Sequence, residues 1–98
     1  MNENLENRVI EWANERGIFE HSSPLSQAYK TEEEVAELLH AACNENLEDY
    51  KDAVGDILVT LIIGCKMYDT TLKDCLAQAY NEIKHRKGKM IDGLFVKE

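Results

Sequence analysis

The sequence predicts an all-α fold, a four-helix bundle-like domain with a short extended C-terminal tail. Three observations carry this: apolar residues recur at three- and four-residue spacing along most of the chain, capping or breaking residues separate the stretches, and only one proline and five glycines occur in 98 residues. In the first stretch Leu5, Val9, Trp12 and Ala13 share a face, and Gly17 supplies a stop. Ile18 to His21 reads as a connector. Ser23 before Pro24 places a capping side chain ahead of a residue suited to a first helical turn, and opens a second helix to about Cys43 with the stripe Ala28, Val35, Leu38, Leu39 and Ala42. After the break at Asn44-Glu45-Asn46, a third helix from about Leu47 to Tyr68 turns Val54, Ile57, Leu58, Leu61, Ile62 and Cys65 inward. Thr70-Thr71 caps a fourth, which carries Leu72, Cys75, Leu76, Ala79, Tyr80 and Ile83 and ends near Gly88. Met90 to Glu98 alternates loosely, as an extended tail would.

Residues 1–98 form one domain, without repeats or low-complexity stretches. A lone domain of this length buries only about two-thirds of the surface its unfolded chain exposes, so a partner subunit is expected to help. The composition, 44% hydrophobic, suits a real core and excludes a disordered or disulfide-built chain. A net charge of −8 repels nucleic acid and polyphosphates, so a phosphorylated ligand needs a cation or a local basic patch to bind. Cys43, Cys65 and Cys75 lack CxxC spacing and fall among apolar residues, which predicts buried free thiols in a reducing cytoplasm. The N-terminal MNENLENRVIEW has no apolar signal core, and the apolar run Ile57 to Cys65 is too short to cross a bilayer.

Two acidic elements carry the chemistry. In Lys30-Thr-Glu-Glu-Glu-Val-Ala-Glu37 the i, i+3 relation sets Glu34 and Glu37 on one helix face. Their repulsion is relieved by a divalent cation such as Mg²⁺, which takes hard oxygen ligands; a solvated acidic face near a helix N-terminus is the bland alternative. In Asp52-Ala-Val-Gly-Asp56-Ile-Leu-Val, Asp56 leads straight into the most apolar run of the chain, where an ionised carboxylate needs a cation, a Lys or Arg, or several donors. Asp52 lies one turn earlier on nearly the same face. Opposed to these acids, Lys84, Arg86, Lys87, Lys89 and Lys97 concentrate positive charge in the last fifteen positions. That suits a helix C-terminus, and it also suits a triphosphate.

The series Glu34-x-x-Glu37, a helix break, then Gly55-Asp56 opening an apolar helix resembles the MazG-like members of the all-α NTP pyrophosphohydrolase superfamily, whose signature is ExxE followed by ExxD. Trp12 with Arg16-Gly17-Ile18, Gln27 and Lys30 upstream, and Glu82-Ile-Lys-x-Arg86-Lys-Gly-Lys-Met-x-Asp-Gly93-x-Phe-Val-Lys97 downstream, are similar to the short stand-alone members, phage-encoded ones included. One position departs from the pattern: Ala53 stands where a glutamate is expected, with Asp52 beside it. The resemblance implies hydrolysis of an NTP or dNTP to the monophosphate and pyrophosphate. It implies Mg²⁺, with Mn²⁺ as a substitute, on Glu34, Glu37, Asp56 and Asp52, and Glu33 or Glu34 as the acceptor of the water proton. Lys84, Arg86 and Lys89 would hold the leaving phosphates, with Lys30 as a further phosphate contact. Trp12 either stacks on the base or belongs to the core. A homodimer or a tetramer of paired dimers, with sites near subunit interfaces, is also implied. No short motif specifies the base or the sugar.

Two other readings compete. The pairs Glu37 to His40 and Glu82 to His85 match the Glu-x-x-His element of a di-iron carboxylate bundle, with Glu6 or Glu11 as the acids left to the first helix. A non-catalytic helical interaction module would keep the acids as a solvated face and the basic tail as a docking site.

Overall fold

A computed structural model describes residues 4–98; the first three residues of the segment read as lacking a signal core lie outside the described residues. Five helices and a hairpin follow in order: α1 (Leu5–Glu15), α2 (Ile18–His21), α3 (Pro24–Cys43), α4 (Leu47–Met67), α5 (Leu72–Ile83), β1 (Gly88–Ile91) and β2 (Leu94–Lys97). The all-α class is as expected. Each helix longer than one turn starts on a side chain that accepts an otherwise unpaired backbone N–H: Asn4 from Glu6 at 2.9 Å, Ser23 from Ser26 at 3.1 Å, Asn46 from Asp49 at 3.0 Å and Thr71 from Asp74 at 3.0 Å.

Three stretches differ from the sequence expectation. The connector is a single helical turn, α2, entered through Gly17 in the left-handed region (φ 75°). The last helix stops at Ile83 rather than near Gly88, so Lys84 to Lys89 are not helical. The tail is an antiparallel hairpin in which Met90 pairs with Phe95 and Ile91 with Leu94. Asp92 (φ 51°) and Gly93 (φ 82°) make its two-residue turn, the double left-handed geometry that matches strand twist. At Gly88 a Cβ would run into the Val96 carbonyl oxygen and stand 2.9 Å from Lys97 Cα, so the strands close only on glycine.

The centre of the molecule is the antiparallel pair α3 and α4, with α1 against α4. Its seam is built from small residues: Ala41, Ala53 and Thr60 are buried, joined by Ala13, Ile62 and Ile63. Thr31 Oγ1 and Thr60 Oγ1 meet at 2.7 Å across the seam, and each also reaches a carbonyl of its own helix, Gln27 at 2.8 Å and Ile57 at 2.7 Å. With one proton per hydroxyl, two of these three bonds form at a time.

Much of the predicted apolar stripe is not in this core. Val35, Leu39, Val54, Leu58 and Leu61 are exposed, on α3 and α4 alike. The buried-thiol expectation is corrected too: Cys43 and Cys75 are exposed and Cys65 is half-buried, because Cys43 ends α3 and Cys75 lies on α5, which buries no residue. Cys65 Sγ and Cys75 Sγ lie 3.8 Å apart, joining the end of α4 to the start of α5, and burial pushes the Cys65 thiol pKa up. No helix among the described residues is long and apolar enough to cross a membrane.

Candidate metal centre

Helix α3 carries Glu34 and Glu37 one turn apart, and antiparallel α4 brings Asp56 to the same level. Each of the three offers a carboxylate oxygen, and these oxygens lie within 4.8 Å of one another. Glu37 and Asp56 are exposed, whereas Glu34 retains 8% of its accessibility. The sequence made Asp56 the carboxylate in need of a partner; the structure makes it Glu34. Glu34 Oε1 is 3.6 Å from Lys30 Nζ, but Glu34 Oε2 is buried without a hydrogen-bond partner. Burial, then the like charges of Glu37 and Asp56, raise the Glu34 pKa above the ordinary carboxylate range, and Lys30 opposes them only in part. Three carboxylates this close together, one of them buried with an unpartnered oxygen, are a group that could hold a hard divalent cation.

The remaining predicted site residues fall into three groups. Asp52 lies outside the three-oxygen cluster but lines the same cavity of about 460 Å³, together with Glu37, His40, Asp49 and Asp56. Ala53 lines that cavity as well, and the room a longer acid would use stays open beside it. Glu33 is on the neighbouring face, exposed, and 3.5 Å from Lys30 Nζ; Lys30 is thus held by the two acids it precedes, Glu33 first, and its pKa is raised by them. Trp12 is 44% exposed, with the Arg16 guanidinium 5.8 Å from its ring centroid. Together with Leu5, Arg8, Val9 and Val59 it lines a groove of about 480 Å³ that also reaches Asp56. Asp56 therefore stands between an acidic cavity and an apolar, aromatic one.

Lys84, Arg86 and Lys89 are exposed and make no ion pair among the described residues. Neither cavity beside the carboxylates is lined by anything from α5 or the hairpin. The same separation removes the di-iron arrangement within one chain. Glu82 and His85 are far along the C-terminal segment, and Glu6 is engaged elsewhere, accepting the Leu72 N–H at 2.9 Å to cap α5. Sequence reasoning gave His40 no place at the chosen site, although its i, i+3 relation to Glu37 was the available signal. Arg8 and Val9 lie along α1 on the Trp12 face for the same reason.

Residues 6–82 match the family described as phosphoribosyl-ATP pyrophosphohydrolase, a span that includes most of α1, the carboxylate cluster and most of α5. The chain belongs to the phosphoribosyl-ATP pyrophosphohydrolase family. This family lies in the same all-α superfamily as the MazG-like proteins, so the pyrophosphohydrolase class read from the ExxE and Gly-Asp elements stands at that level. A phage protein described as an uncharacterized 18.2 kDa protein in the rep-hol intergenic region, from Haemophilus phage HP1 (strain HP1c1), is 33% identical over 58 residues, covering 59% of this chain and 36% of the phage protein. The chain thus spans about a third of the length of the curated relative it matches. No solved structure matches.

Proposed function

We propose that this member of the phosphoribosyl-ATP pyrophosphohydrolase family is a Mg²⁺-dependent nucleoside triphosphate pyrophosphohydrolase of the MazG-like kind, with Mn²⁺ able to substitute. It hydrolyses an NTP or dNTP between the α and β phosphorus atoms. Water adds its oxygen to the α-phosphorus, the bond to the bridging oxygen breaks, and monophosphate and pyrophosphate leave. The observation that carries the reading is a buried Glu34, with one oxygen unpartnered, clustered with the carboxylates of Glu37 and Asp56.

Glu34, Glu37 and Asp56 would hold the cation, and Asp52 would complete the set from the cavity wall, through a water. When bound, Mg²⁺ neutralises phosphate charge and lowers the pKa of a ligated water. Glu33, exposed beside the cluster, takes the proton of the attacking water, as does Glu34 when it is not a ligand. Trp12 offers its exposed ring to the base from the groove that ends at Asp56, which sets base and triphosphate on the two sides of one carboxylate. Lys30 neutralises Glu33 and Glu34 and would contact a phosphate of bound substrate. Lys84, Arg86 and Lys89 hold the β and γ phosphates. Two or more copies of the chain assemble to form the working unit.

The test is pyrophosphate release by purified protein with Mg²⁺, measured across the eight common NTPs and dNTPs and phosphoribosyl-ATP. Release from one or more of the eight is the expected result. Release from phosphoribosyl-ATP alone would assign the substrate of the family description instead, and none from any substrate would leave a non-catalytic helical module.

A further inference from the structure

Helix α5 buries no residue, and two contacts fasten its first turn to the rest of the chain. The Glu6 carboxylate of α1 accepts the Leu72 N–H at 2.9 Å, and Cys75 Sγ lies 3.8 Å from Cys65 Sγ at the end of α4. The connection between the two cysteines is itself ordered by hydrogen bonds. The Cys65 carbonyl accepts from the Tyr68 N–H at 3.1 Å and from the Thr70 N–H at 2.9 Å, with Asp69 between them in the left-handed region (φ 58°). At the other end, the Thr71 carbonyl accepts the Cys75 N–H at 3.1 Å while its hydroxyl caps Asp74. The backbone that carries each thiol is thus held on its own side of a short turn, and the turn brings the thiols together.

Two sulfurs at 3.8 Å need to close to about 2.05 Å to bond, a displacement of less than about 2 Å shared between two side chains and an exposed turn. Both thiols line one groove of about 290 Å³, together with Pro24, Gln27, Thr31 and Thr60, so a small reagent reaches them from solvent. Their settings differ. Cys75 is exposed, whereas Cys65 is half-buried and its thiol pKa is raised, by burial first and then by the Cys75 thiol and the Glu6 carboxylate. Cys43 supplies a contrast within the same chain. It ends α3, whereas the groove that holds Cys65 begins at Pro24 and Gln27, roughly 25 Å away along that helix.

We propose that Cys65 and Cys75 form a redox-modification site, a dithiol that a low-molecular-weight disulfide oxidises to an intramolecular disulfide bond locking the root of α5 to the end of α4. The Cys75 thiolate, the accessible one, attacks one sulfur of the small disulfide, forms a mixed disulfide on Cys75 and releases one small thiolate. Cys65 then gives its proton to solvent and attacks Cys75 Sγ, and the second small thiolate leaves. Two protein thiols are oxidised and one small disulfide is reduced to two thiols. The second step is intramolecular between groups already in contact, which favours it over capping of Cys65 by a second small molecule. In a reducing medium the pair stays a dithiol and α5 is held by the Glu6 cap and the thiol contact alone. Oxidation makes one of these two fastenings covalent. The site stands apart from the carboxylates and does not depend on the reaction proposed for them.

Two measurements on the whole protein decide it. In the first, reduced wild type is equilibrated in a series of reduced and oxidised glutathione buffers, quenched with acid and alkylated, and its thiols are mapped by mass spectrometry. The expected product carries a Cys65–Cys75 bond within one chain, formed in buffers where Cys43 is still free. Cys65→Ser is expected to stop at a glutathione adduct on Cys75, the trapped intermediate. Glutathione on both Cys65 and Cys75 of wild type, a bond to Cys43, a bond between chains, or both thiols still free in the most oxidising buffer would each overturn the site; this mapping uses wild type alone, so a variant that folds poorly does not affect it. The second measurement is amide hydrogen exchange of oxidised against reduced wild type. The lock is expected to slow exchange in α5 on the order of tenfold, with α3 unchanged, because closing the loop between Cys65 and Cys75 suppresses opening of α5 away from α4. Equal exchange of α5 in the two forms would overturn the lock.

Discussion

The α3–α4 pair and the α5–hairpin arm solve opposite problems with similar sequence. Both are amphipathic, both begin on capping side chains and both carry charge at spacing that aligns it on one face. In the pair, the seam is made of alanine and threonine, the helices approach closely, and a glutamate is buried with one oxygen unpaired. In the arm, leucine, tyrosine, isoleucine and phenylalanine are in solvent and nothing is buried. A buried polar group without a partner costs free energy, and so does an exposed apolar face. On the proposed reading, something outside the single chain would complete each: a cation for the first, another protein surface for the second.

The largest effect is expected at the carboxylates. Glu37→Gln or Asp56→Asn should lower kcat/KM on the order of 10²-fold or more, the scale of removing an electrostatic stabiliser of the transition state. Without metal, the same changes remove a like charge from beside Glu34, so the melting temperature should hold or rise. Pyrophosphate release and thermal denaturation on one preparation test both; turnover at the wild-type level would detach the cluster from the reaction.

In the arm, Gly88→Ala sets a methyl group against the Val96 carbonyl and opens the hairpin while leaving α1 to α4 untouched. On the proposed assembly of two or more copies, the expected result is unchanged helical circular dichroism, dissociation of that assembly, and turnover reduced on the order of tenfold or more through misplaced phosphate contacts. Light scattering and steady-state kinetics measure the two consequences. An intact assembly at full turnover would mean that the hairpin is dispensable.

This contrast also marks how much could be read from the chain alone. Helix positions were legible because Ser23-Pro24, Thr71 and Gly17 are local signals, satisfied by backbone groups two or three residues away. The pairing of Glu34 with Glu37 was legible because spacing along one helix survives any packing, whereas their meeting with Asp56 depends on how α3 and α4 pack. Burial was not. Val35, Leu39 and Leu58 read as core because an apolar stripe states that a face will be covered, not by which chain. The hairpin was missed although Asp92-Gly93 between Met-Ile and Leu-Phe-Val is a strong turn signal, because the neighbouring lysines read as a helix end. That Glu34 and not Asp56 is the buried acid depends on the relative rotation of two helices, which no spacing within either one contains.

A smaller effect ties pH to the metal. Glu34 has a folded-state pKa raised above its unfolded value, so below the unfolded value both states are protonated and the group is neutral in effect. As pH rises past the ordinary carboxylate range, the unfolded chain releases its proton first, and stability falls until the raised folded pKa is passed. Metal-free protein should therefore lose melting temperature over that window, and Glu34→Gln should flatten the slope. Mg²⁺ at a hundred times its Kd should return about 2.7 kcal/mol to wild type and little to Glu34→Gln. Melts at several pH values, with and without Mg²⁺, supply the comparison; identical slopes for the two proteins would remove Glu34 from the site.

The smallest expected effect concerns the cavity beside Ala53. Asp52 lines it without joining the three-oxygen cluster, so Asp52→Asn should cost only a few-fold in kcat/KM, far less than Asp56→Asn, if it acts through a bridging water. Ala53→Glu restores the acid that the family pattern expects, at a position that is 2% exposed. In the absence of metal the new carboxylate is a fourth like charge and should lower the melting temperature, because it is desolvated without a partner. With Mg²⁺ the order reverses: a fourth oxygen ligand in a cavity of about 460 Å³ should tighten metal binding and lower the Mg²⁺ concentration needed for half-maximal turnover. A Mg²⁺ titration of melting temperature and of rate for the two variants separates the cases. Should Asp52→Asn match Asp56→Asn in severity, Asp52 is itself the fourth ligand, and Ala53→Glu should then bring no gain in affinity.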